Sequence, residues 1–141
     1  MSSLSFPDLN VWLALAATEH VHHALAVTWW NKQEGPIAFC RFSQMGFLRL
    51  VTTAAAMDNR PLTMAQAWRV YDRFFDDDRV VFVAEPSQVE AIFRKKATGR
   101  MVSPKIWAEA WLLATAEAAS GKLVTLDRAL SERGAISLLP K

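Results

Sequence analysis

Three carboxylates, far apart in sequence, are the residues best able to do chemistry: Asp8, Glu109 and Asp127. Asp8 and Asp127 each follow a short apolar run and open a segment of helical character. Each can therefore serve as an N-cap worth about 1 kcal/mol, and each is as well placed to ligate. Glu109 lies within Ile106-Trp107-Ala108-Glu109-Ala110-Trp111-Leu112-Leu113-Ala114, apolar nearly all round, which predicts a helix buried on most faces. A carboxylate in such a stretch is there because something ligates or pairs with it. Lys105, at i−4, offers only a surface bridge of ~0.3–0.5 kcal/mol. Three carboxylates gathered without matching cations repel one another, and a bound divalent metal resolves the repulsion. All-oxygen ligation favours Mg²⁺ or Mn²⁺ over zinc. Such an ion can activate water and stabilise charge on a phosphodiester.

Other reactive residues point to less. His20 and His23 stand at i, i+3, but no cysteine or acidic cluster completes a tetrahedral set, so a structural or surface role is expected. Cys40 reads as a small core residue with no base to activate it. Asp76-Asp77-Asp78 precede an apolar run where a phosphoacceptor cluster would follow one, and they read as a solvated helix end. Neither a P-loop, G-x-G-x-x-G nor G-x-S-x-G occurs.

The elements that must position these residues follow from apolar periodicity and turn signals. Strands are expected at Leu4–Pro7, Ile37–Cys40, Val80–Val83, Leu123–Leu126 and Ile136–Leu139, with Pro7 at the end of its strand because it cannot donate to a ladder. Helices are expected after Asp8, over His20–Lys32, Phe42–Thr53 and Thr63–Asp76, from Ser87 to about Ala97, over Lys105–Ala119, and between Asp127 and Gly134. Thr63 is a cap, and Ser87 with Glu90 forms a capping box. Short unalternating strands separated by helices indicate a mostly parallel sheet covered on both faces, a three-layer α/β/α sandwich. Ligands bind such sheets at the carboxyl ends of the strands. Asp8, Arg41–Gln44 and Asp127 fall there.

The 141 residues suit one domain, 1–141. With 52% hydrophobic and 21% charged residues the chain is not disordered. No apolar run reaches a membrane span, and no signal peptide is apparent, so a cytoplasmic address is expected. A lone cysteine excludes a disulfide framework. The formal charge of +2 does not mark a nucleic-acid binder. However, Arg94, Lys95, Lys96, Arg100 and Lys105 run without an intervening acid toward Glu109. They make either a cationic track for phosphate or the solvated end of a helix.

The opening Pro7-Asp8-Leu9-Asn10-Val11-Trp12-Leu13-Ala14-Leu15 resembles the first motif of PIN-domain ribonucleases, more narrowly of VapC-type toxins of toxin–antitoxin pairs. The resemblance continues through Ser43-Gln44-Met45-Gly46-Phe47-Leu48-Arg49-Leu50-Val51-Thr52 and Ser103-Pro104-Lys105-Ile106-Trp107-Ala108-Glu109-Ala110-Trp111-Leu112. It ends with Leu123-Val124-Thr125-Leu126-Asp127-Arg128. It implies a PIN-like sandwich and a metal-dependent endoribonuclease, with Asp8, Glu109 and Asp127 as catalytic metal ligands for Mg²⁺ or Mn²⁺. Glu109 stands where the family usually has Asp. Gln44 stands at a position that is often Glu, which lowers the charge of the site. Asn10, Gln44 and Thr125 would support the ligands from behind. The resemblance also implies an RNA substrate and a VapB-like antitoxin; the apolar excess and tryptophan richness of the chain predict a homodimer whose remaining exposed apolar and aromatic surface the antitoxin covers. The alternative is a catalytically weak or inactive PIN-like domain that binds RNA or an antitoxin.

Overall fold

A computed structural model describes residues 3–140. Five strands form one sheet in the order β3-β2-β1-β4-β5: β1 (Ser5–Pro7), β2 (Ile37–Phe39), β3 (Val80–Phe82), β4 (Lys122–Thr125) and β5 (Ile136–Ser137). Every pairing is parallel. Successive strand residues face opposite sides, so the two faces build separate cores. Ile37 and Phe39 join Trp12, Leu13, Phe47, Val51 and Tyr71 on one face. Ala38 joins Phe6, Leu112, Leu113, Leu123 and Leu130 on the other. Helices α1 (Leu9–Ala16), α2 (His23–Lys32), α3 (Arg41–Val51) and α4 (Met64–Phe74) serve the first face. Helices α6 (Ile106–Ala118) and α7 (Arg128–Glu132) serve the second, with α5 (Val89–Lys96) packed on α6. The three-layer sandwich expected from the sequence is the architecture.

Trp12 is fully buried and stacks on Phe39, ring centroids 3.7 Å apart and planes 10° from parallel. That contact fixes α1, and with it Asp8, against the sheet. A Cβ on Gly46 would lie 2.5 Å from Leu9 Cδ2, so glycine there lets α3 close onto α1. Pro7 is the last residue of β1 as expected, and β1 registers with β2 only at Ser5↔Ile37 but with β4 at three positions. The chain order reverses between β1 and β4, which makes the crevice beyond their carboxyl ends the switch point of the sheet.

Several expected boundaries shift for local reasons. Helix α2 starts at His23 because the His22 N–H bonds to His20 Nδ1 in a turn. Ser87 does not cap α5; Gln88 stands at the N-cap without a side-chain bond, and Glu90 pairs with Arg94 at 3.0 Å. Thr63 does cap α4, in a reciprocal box with Gln66. Cys40 is buried but ends outside β2, its N–H bonded to Ser43 Oγ at the start of α3. Strand β3 is half-buried at the sheet edge, with Phe82 exposed. Asp77 is not simply solvated: Arg79 binds it through Nε and Nη2 and also donates to the carbonyls of Trp30 and Gln33.

Candidate active site

Asp8 follows β1 directly and caps α1. Its Oδ1 accepts the N–H groups of Asn10 (3.1 Å) and Val11 (3.2 Å). Its Oδ2 accepts the Thr125 hydroxyl at 2.5 Å. Only 5% of the residue is exposed, and burial pushes its pKa above the ordinary carboxylate value; the nearby charge of Asp127 pushes the same way, against the hydrogen bonds. Asp127 repeats the arrangement after β4: its Oδ1 accepts from Ala129 (2.8 Å) and Leu130 (3.2 Å) and caps α7. Thr125 joins the two. Its Oγ donates to Asp8 and accepts the Asp127 N–H at 2.9 Å. The N-cap reading of both acids holds, since in each the Oδ1 binds the helix amides.

Asn10 contributes its backbone N–H to Asp8, and no side-chain bond from it is present among the described residues. Gln44 is buried on α3, and its Oε1 accepts from Arg41 Nη1 at 2.6 Å, while the Arg41 guanidinium lies over the Phe82 ring. Gln44 also meets Tyr71, whose pKa burial raises while Gln44 and Arg41 oppose the rise.

Glu109 is in the first turn of α6, which is less buried than its composition suggests: Trp107 is 59% exposed, and close burial begins at Ala110. The Glu109 Oε2 accepts from Arg133 Nη1 at 3.2 Å. Lys105 is the N-cap of α6 rather than a residue within it, and it lies 4.0 Å from Asp127 Oδ2 instead of pairing with Glu109. The expectation of acids without matching cations is thus corrected, because Arg133 answers Glu109. Among the described residues no three His, Cys, Asp or Glu side chains are grouped to hold a metal. The structure brings Asp8, Thr125 and Asp127 together and leaves Glu109 with Arg133.

The cationic track is divided in the same manner. Arg94 pairs with Glu90, and Lys96 lies 3.4 Å from Glu117. Lys95 and Arg100 form no ion pair among the described residues. Arg133 is the residue sequence reasoning missed. Its partner lies 24 positions away, and no local pattern announces it.

Asp8 and Asp127 fit a hard divalent cation: both donors are carboxylate oxygens, and the ionised form of Asp8 is penalised by burial that a cation would offset.

Residues 5–136 match the PIN domain. The chain belongs to the PIN-domain family. This PIN domain is 42% identical over 137 residues to "Ribonuclease VapC41" of Mycobacterium tuberculosis, covering 93% of the chain and 94% of that protein. It is 32% identical over 127 residues to "Ribonuclease VapC44" of the same organism, covering 88% and 86%. Two solved structures share the PIN fold at low identity. One is Mycobacterium tuberculosis VapC20, described as a sarcin-ricin loop cleaving toxin (TM-score 0.65, 13% identity, 94% and 96% covered). The other is VapBC2 from Rickettsia felis bound to a promoter DNA fragment (TM-score 0.66, 12% identity, 95% and 96% covered). Its likeness to the two ribonucleases makes this PIN domain VapC-type, and the two solved structures share its fold.

Proposed function

We propose that this PIN domain is a VapC-type endoribonuclease that hydrolyses RNA phosphodiesters with Mg²⁺ or Mn²⁺, as the toxin of a toxin–antitoxin pair. The observation carrying this reading is the Asp8–Thr125–Asp127 linkage at the switch point of the sheet. It stands in a chain 42% identical to a ribonuclease. Asp8 and Asp127 would hold the ion, and Glu109 would join them. When bound, the ion supplies activation of water and neutralisation of charge on the phosphodiester.

The chain's own residues do the rest. The amides of Asn10 and Val11 fix one oxygen of Asp8, and the Thr125 hydroxyl fixes the rotation of the other. Lys95 and Arg100 supply attraction for the RNA backbone beside α6. Exposed Met101, Val102 and Trp107 on one side and Met64 and Trp68 on another suit coverage by a second copy and an antitoxin segment. No helix among the described residues is long and apolar enough to cross a membrane.

Asp8→Asn and Asp127→Asn test the reading. Each is expected to keep the circular-dichroism spectrum and lose Mn²⁺-stimulated RNA cleavage by more than the ~10–100-fold typical of groups behind the ligands. Undiminished cleavage in both would sink it. The second reading, a weak or inactive domain that binds RNA or an antitoxin, is favoured by the engagement of Glu109 with Arg133 and of Gln44 with Arg41. RNA retention by the wild-type chain with no metal-stimulated turnover would select it.

A further inference from the structure

Arg133 is the C-cap of α7, and Gly134 after it, at φ 114°, turns the chain away. From there the guanidinium reaches back under α6. Nη1 donates to Glu109 Oε2 at 3.2 Å, and Nη2 donates to the Lys96 carbonyl at the end of α5, also at 3.2 Å. The Arg133 side chain is 27% exposed and that of Glu109 15%, so among the described residues this is the least exposed of the ion pairs that link separate elements. Lys105, beside Asp127, is by contrast 75% exposed and 4.0 Å distant, a contact that solvent largely screens.

A guanidinium on Glu109 Oε2 neutralises charge that a divalent ion at the other oxygen would draw on, and a guanidinium beside a divalent ion repels it. The second anchor at Lys96 keeps the Arg133 fork in place whether or not Glu109 stays with it. Resting on the metal-dependent reading above, we propose that Arg133 is a positioning residue for Glu109. It acts as an internal counter-cation, so a Mg²⁺ or Mn²⁺ ion seated on Asp8 and Asp127 gains the full charge of Glu109 only by drawing that carboxylate away from the anchored guanidinium. The chain thereby sets its own threshold for metal loading. The contribution of Glu109 to metal affinity is masked while Arg133 is present.

Calorimetric titration of Mn²⁺ into the metal-free chain at fixed ionic strength tests this without reference to activity. Arg133→Gln is expected to bind Mn²⁺ several-fold more tightly than wild type and to unfold at a lower temperature without metal. Arg133→Lys keeps the charge but loses the two-pronged fork, and it should fall between them. Glu109→Gln should weaken Mn²⁺ binding little in the wild-type background and markedly in the Arg133→Gln background. Unchanged or weaker Mn²⁺ binding in folded Arg133→Gln, or an equal effect of Glu109→Gln in both backgrounds, overturns the proposal. Should Arg133→Gln fail to fold, Arg133→Lys carries the test alone, with tighter binding supporting the proposal and unchanged or weaker binding overturning it. Asp8→Asn, titrated in parallel, separates the two readings. If it abolishes binding while Arg133→Gln does nothing, Arg133 loses its role and the metal stays. If it leaves binding intact, the metal reading itself falls, and this proposal with it.

Discussion

Two halves of the candidate site are held in different ways. Asp8 and Asp127 are anchored by their own chain, each capping the helix it opens, and Thr125 ties one to the other. Glu109 and Gln44 are held by guanidinium groups, one from another element and one from three residues before. In the first half the position of the carboxylate is a by-product of the strand–turn–helix geometry, so it is set once the sheet forms. In the second half position is a competition between side chains, and a new charge can shift it. On the proposed reading the first half would be the scaffold for a cation, and the second half would set how readily one is accepted.

Breaking the tie in the first half should have the larger effect. Thr125→Val removes the hydroxyl that orients Asp8 Oδ2 and receives the Asp127 N–H. We expect a ~10–100-fold fall in Mn²⁺ affinity or cleavage, the usual scale for groups behind metal ligands. Rescue by Thr125→Ser, which restores the hydroxyl, would distinguish orientation from packing. An unimpaired Val variant would mean the linkage is incidental.

Asp8 also allows a test by stability. Its folded pKa lies above the unfolded value because burial disfavours the charge. Metal-free stability therefore falls as pH rises from the unfolded toward the folded pKa, and the deficit is complete above the latter. Asp8→Asn keeps the cap and should raise the melting temperature of metal-free protein at neutral pH, since it removes the penalty of burying the charge. The gain should vanish below the unfolded pKa. A lower melting temperature at neutral pH would show that the hydrogen bonds to Asp8 outweigh its burial.

The smallest effect belongs to the second half. Gln44→Glu places a carboxylate beside Arg41, 2.6 Å from the present Oε1. The guanidinium would neutralise it, so Mn²⁺ affinity should change by less than about tenfold, ~1.4 kcal/mol. A larger increase would mean that position 44 reaches the ion despite Arg41.

The same division governs what could be read from the sequence. Asp8, Thr63 and Asp127 were legible as caps because a cap bonds to amides two or three residues on. The apolar strands were legible because Ile37, Phe39, Leu123 and Val124 are buried by the sheet itself. Helix α6 misled at its first turn, since its uniform apolar composition hides that Trp107 and Ala108 face outward. Arg133 was invisible for the opposite reason: nothing in its neighbourhood prefers Glu109 over Glu132 or Glu117, and only the approach of α5, α6 and α7 makes the choice. The failed cap at Ser87 has a local cause instead: Glu90 pairs with Arg94 one turn ahead, and Gln88 takes the N-cap position.

The central strand adds a consequence in time. β1 precedes the other described strands, but its three-position register is with β4, and the Thr125 hydroxyl that meets Asp8 is 117 residues downstream. Closing so long a loop comes late in folding. Asp8 therefore waits for nearly the whole chain before its partner arrives. Any product truncated before Lys122 lacks one flank of the central strand, β4 with β5, and the acid pair together. A partly made chain cannot carry half of this site: the strand pairing that completes the fold is the same event that assembles the carboxylates.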